Sequence, residues 1–135
     1  MPRNGAAMLL VGLLLAGGEA GAAGPPPLDT TRDLLRYCDG TAIDDTAQQD
    51  EIFCDGFITG AGLFYLELVR AGAIKPWACA EPVPDLATVR GAFVRWARSN
   101  PQHLDAKPID GFWRAMADAY PCTRGPSEQP GERRR

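Results

Sequence analysis

An all-α fold is what this sequence predicts, a small bundle of about four helices stapled by two disulfides. Three observations carry that prediction. Apolar residues return at three- and four-residue steps in four separate segments, the spacing of a helix face, and no run alternates as a strand would. Hydrophobic residues make up 45% and charged residues 23% of the 135 residues, the usage of an ordinary globular domain. All four cysteines fall between residues 38 and 122, inside the segment that carries the periodicity.

The first 22 residues are not expected to join the fold. Arg3 precedes the 11-residue stretch AAMLLVGLLLA at positions 6–16, glycines follow, and Ala20-Gly21-Ala22 places small residues around a cleavage point. That is the layout of a secretory signal peptide, and the stretch is too short to span ~30 Å of hydrocarbon. Residues 23–29 include Gly24-Pro25-Pro26-Pro27 and read as a stiff spacer. Residues 123–135 combine Gly, Pro, Ser, Glu and three closing arginines and read as a disordered charged tail. The helical domain is therefore expected over residues 30–122, in a periplasmic protein.

The first helix is predicted to start at Thr30 or Thr31, with Asp33 where the helix dipole favours an acid. Leu34, Leu35 and Cys38 form its stripe, and Asp39-Gly40 ends it. The second helix is predicted over residues 47–71 with Gly72 at its C-terminal cap. Its stripe is Ile52, Phe53, Phe57, Ile58, Ala61, Phe64 and Leu68. Gly56, Gly60 and Gly62 each cost about 1 kcal/mol of helix propensity relative to Ala. Gly56 and Gly60 therefore imply close packing of a helix, within the fold or between subunits. Asp50, Glu51, Asp55 and Glu67 speak against a membrane span there, so none is expected in the mature chain.

Three prolines make residues 73–84 an irregular loop. Within it Lys75, Pro76 and Trp77 are the candidate partner-binding residues, because an aromatic side chain in such a loop can anchor an interface. Asp85 caps a third helix carrying Leu86, Val89, Phe93, Trp96 and Ala97, which Asn100-Pro101 ends. Pro108 suits the first turn of a fourth, whose stripe is Ile109, Phe112, Trp113, Met116 and Tyr120.

An even number of cysteines in a small exported domain implies two disulfides. The intervals of 16, 25 and 43 residues lack the close ligand pairs of a zinc site. Four cysteines allow three connectivities, and the sequence does not choose among them. Pairing neighbouring elements gives Cys38–Cys54 and Cys79–Cys122, which on the chain-entropy account contribute about 3 and about 4 kcal/mol.

Chemistry is thinly supplied. His103 is the single histidine, and no phosphate loop, nucleophile elbow or H-E-x-x-H motif is present. Neither a catalytic residue, a metal ligand nor a cofactor is expected. A net charge of −3 gives no basic footprint for nucleic acid. What remains is a binding or inhibitory module with a protein partner, or alternatively a small acid-stress chaperone or other stress protein.

Several local motifs stand in order: Leu34-Leu35-x-x-Cys38, Cys54-Asp55-Gly56-Phe57-Ile58-Thr59-Gly60, Cys79-Ala80-Glu81-Pro82, Asn100-Pro101-Gln102-His103-Leu104 and Tyr120-Pro121-Cys122. Together they resemble the Rap/Tai family of type VI secretion immunity proteins across residues 30–122. Phe57 stands where that family has Tyr, and Asn100-Pro101-Gln102 where it has His-Pro-Glu. Leu63 stands near an expected Asp. The resemblance implies a periplasmic, disulfide-bonded helical protein, often a homodimer, that plugs the active-site cleft of a peptidoglycan amidase effector delivered by sister cells.

Overall fold

The computed structural model describes residues 27–42 and 46–122. The expected signal peptide (1–22), most of the expected spacer and the expected charged tail (123–135) lie outside the described residues. Four α-helices are described: α1 (Thr31–Cys38), α2 (Ala47–Arg70), α3 (Leu86–Ser99) and α4 (Pro108–Ala119). A single 3-10 turn, Pro101–His103, joins α3 to the segment before α4. Among the described residues there is no strand, only an isolated antiparallel bridge between Ala78 and Pro121.

Local chemistry sets each boundary. The Thr30 hydroxyl accepts the Asp33 amide at 3.2 Å while the Asp33 carboxylate accepts the Thr30 amide at 2.9 Å, a reciprocal cap at the start of α1. Asp85 starts α3 by accepting the Thr88 amide at 2.7 Å. Pro108 occupies the first turn of α4, where its missing N–H costs nothing. Past the end of α2, Gly72 takes φ +67°, a backbone angle that favours glycine. The Ala73 amide then donates to the Leu68 carbonyl at 2.9 Å and the Gly72 amide to the Val69 carbonyl at 3.0 Å, closing the helix end.

The core is built from all four helices. Leu34, Phe93 and Phe112 are its largest fully buried apolar side chains, joined by Ile58, Ala97, Ala115 and Met116. Phe112 forms the centre of an aromatic chain, with ring centroids 5.9 Å from Phe57 and 6.1 Å from Phe93. Cys38–Cys54 ties α1 to α2 inside this core, and Cys79–Cys122 ties the 73–84 loop to the residue chain beyond α4. Arg90 of α3 reaches Glu51 at 2.8 Å and Asp55 at 3.5 Å on α2.

Close helix approach occurs at a glycine other than the expected ones. A Cβ built on Gly56 or Gly60 would meet nothing within 4 Å, because both lie on the outward side of α2. These two glycines do not pack within this fold. The tight contact is between α1 and α4, where a Cβ on Gly111 would fall 2.2 Å from the Thr31 Oγ1. That hydroxyl is already committed, its one proton shared between the Ala106 and Lys107 carbonyls, each 3.1 Å away.

The expected stripe of α2 also needs correction. Cys54, Ile58 and Tyr65 are its buried residues, while Ile52 is 64% and Phe64 67% exposed. Ile52 and Phe64 lie on the side of α2 turned away from Cys54, Ile58 and Tyr65. The helix's neighbours cover one side only. By length and composition α2 could cross a membrane, with 17% of its most apolar window buried. Asp55 and Glu67 lie within it, and Asp55 faces Arg90 of α3.

Candidate functional site

The 73–84 loop is positioned from beneath by one side chain. Tyr65 is buried on α2, and its hydroxyl accepts the Trp77 amide at 2.8 Å and the Ala78 amide at 3.1 Å. The same hydroxyl donates to the Ala78 carbonyl at 3.0 Å. One O–H donor and two acceptor lone pairs are thus all used. The Cys79 amide adds a bond to the Tyr120 carbonyl at 2.8 Å. A loop without regular structure is held in one conformation at its middle.

Three aromatic rings meet at that point. The Tyr65 ring lies 4.3 Å from Trp113 and 5.7 Å from Trp77, and Trp77 stands 5.9 Å from Trp113 with the planes 74° apart. Edge-to-face contacts of this kind stabilise by about 0.5–1.5 kcal/mol beyond area burial. Ala61, Phe64, Leu68, Ile109 and Ala117 add to the walls of an open apolar cleft of about 560 Å³. At its rim Arg114 donates to the Asp110 carboxylate at 2.8 Å. That hydrogen bond and the acid's charge raise the Arg114 pKa above its ordinary value.

Of the three residues singled out in the sequence, Trp77 forms a wall of the cleft and is 48% exposed. Lys75 and Pro76 are exposed on the same loop but do not line the cleft. Ile109, expected on the buried stripe of α4, is 45% exposed and faces the cleft instead. Tyr65, Phe64 and Trp113 belong to the site and were not marked for it. Their signal was the polar tip of Tyr65 on an apolar helix and an excess of aromatic residues over what a small core can enclose. Phe64 is continuous with Leu63, 62% exposed on the next position of α2.

His103 sits apart from the cleft, its ring stacked on Trp96 at 5.7 Å with 14° between planes. The arrangement offers shape, apolar area and aromatic anchors for another protein.

A family model described as Rap1a immunity proteins matches residues 30–122. No curated protein and no solved structure matches the chain.

Proposed function

We propose that this chain, which belongs to the family of Rap1a immunity proteins, docks a secreted effector on the aromatic cleft around Trp77 and blocks the effector's active site by steric occlusion. Family membership points to an immunity protein whose partner is a secreted effector. The finer reading is a peptidoglycan amidase delivered by type VI secretion and met in the periplasm. The signal-like first 22 residues support export, and two disulfides suit an oxidising compartment. The chain acts as a binder and not as a catalyst.

One observation carries the choice of surface. The cleft joins half-exposed Trp77 to exposed Phe64 and Ile109, and Tyr65 fixes the loop that carries Trp77. Large aromatic residues held rigidly are the usual energetic anchors of an interface. They lose little side-chain entropy when a partner covers them. A homodimer is proposed for the remaining apolar surface, the outward side of α2. There Ile52 and Leu63 are exposed and Gly56 and Gly60 leave room for a second helix.

The test is a pull-down with the oxidised chain from periplasmic extract at pH 7, with bound proteins identified by mass spectrometry. One stoichiometric cell-wall hydrolase is expected, captured at least about tenfold less well by Trp77→Ala. A broad set of unfolded clients, or capture that Trp77→Ala leaves unchanged, overturns the reading.

A further inference from the structure

The two disulfides occupy different surroundings. Cys38 and Cys54 are 5% and 0% exposed and belong to the core cluster. Cys79 is exposed and Cys122 half-buried. Thiol–disulfide exchange requires a thiolate to reach a sulfur atom, so access decides which bond a reductant opens first.

Their mechanical roles differ as well. No residue of the buried core cluster comes from the 73–84 loop, whose contribution is Ala78 resting against the cluster's edge. Besides the disulfide, the loop's middle is held by the Tyr65 hydroxyl, the Trp77 ring contacts with Tyr65 and Trp113, the Cys79–Tyr120 backbone bond and the Ala78–Pro121 bridge. The Cys122 sulfur also lies 3.6 Å from the Pro76 carbonyl oxygen, beside Trp77. Both backbone links lie within two residues of the disulfide and run beside it. By contrast α1, α2, α3 and α4 meet through Leu34, Ile58, Phe93 and Phe112 in the buried core.

We propose that the Cys79–Cys122 disulfide is a redox-sensitive clasp. Oxidised, it sets the Trp77 loop in its binding geometry; reduced, it frees the loop while the four-helix core stays folded. A dithiol reductant opens it in two exchanges. A reductant thiolate attacks the accessible Cys79 sulfur, and the S–S electron pair leaves on the Cys122 sulfur, which takes up a proton. The reductant's second thiolate then attacks its own sulfur in the mixed disulfide and expels the Cys79 sulfur, which is protonated in turn. Two electrons and two protons have moved to the protein, and the reductant has become a disulfide. On the proposed function above, the loop becomes competent for its partner only once the chain has reached an oxidising compartment.

The experiment needs no partner. The oxidised chain is treated with graded dithiothreitol, quenched with iodoacetamide, mapped by mass spectrometry and probed with chymotrypsin, which cuts after Trp77. Cys79 and Cys122 are expected to be alkylated about tenfold sooner than Cys38 and Cys54. That species should be cut after Trp77 about tenfold faster while its far-ultraviolet helical signal is kept. Simultaneous alkylation of all four cysteines, helicity lost with the first bond, or unchanged cutting overturns the clasp. The double variant Cys79→Ser/Cys122→Ser should be cut rapidly without any reductant and remain helical; failure to fold shows a core that depends on this bond and refutes the proposal. A wrong partner assignment would surface only in the pull-down, leaving these readouts unmoved.

Discussion

Gly111 shows how much a single hydrogen atom can determine at a helix crossing. Replacing it with Ala puts a methyl group into Thr31, whose hydroxyl is held by two carbonyls and cannot swing away. Overpacking of this kind costs about 1–3 kcal/mol, so Gly111→Ala should lower the urea midpoint by that equivalent. Gly56→Ala and Gly60→Ala, which meet open space, should instead stabilise the monomer by up to about 1 kcal/mol each. The sequence displayed the α2 glycines plainly because they recur within one helix. Gly111 was hidden because its constraint comes from Thr31, distant along the chain. Tyr65 was hidden for a similar reason: an apolar stripe reveals a buried ring but not where its hydroxyl goes. Tyr65→Phe removes the partner of two amides and a carbonyl. It should cost about 1–3 kcal/mol and speed hydrogen exchange at the Trp77 and Ala78 amides. Unchanged exchange there would show that the hydroxyl does not hold the loop.

Among the helices, starts and stops were the most legible features, since Thr30, Asp33, Gly72 and Asp85 act through bonds to near neighbours and Pro108 through its own ring. The caps also predict a pH response. The Thr30 hydroxyl, with the Thr30 and Asp29 amides, holds Asp33 below its ordinary value of 3.8. The amide and hydroxyl of Thr88 do the same for Asp85. A carboxylate depressed in the folded state adds stability that is present above the unfolded value and lost as pH falls through the folded one. The urea midpoint should therefore fall on acidification below about pH 4, and fall less steeply in Asp33→Asn/Asp85→Asn. An unaltered slope would mean the caps contribute nothing to acid sensitivity. Which side of α2 turns inward was less legible. Apolar residues surround that helix, and only the placement of its neighbours decides that Ile58 and Tyr65 are covered while Ile52 and Phe64 are not.

At the scale of the whole molecule, the helical class and the pairing of neighbouring cysteines agree with the structure. The cleft was legible only at Trp77. Most of its other walls are apolar residues of α2 and α4 on the side that the neighbouring elements leave open. If the proposed dimer uses the outward side of α2, Leu63→Glu should shift the sedimentation coefficient from dimer to monomer without loss of helicity, since Leu63 is 62% exposed in the single chain. A monomeric parent chain at micromolar concentration would remove that assembly. The one-sided cover of α2 also separates two kinds of constraint. Because the core rests on one side of α2 and the Trp77 loop lies outside it, selection on folding and selection on recognition act on largely separate residues. Substitutions at Phe64, Trp77 and Ile109 can therefore alter what the cleft fits while Leu34, Phe93 and Phe112 keep the same scaffold.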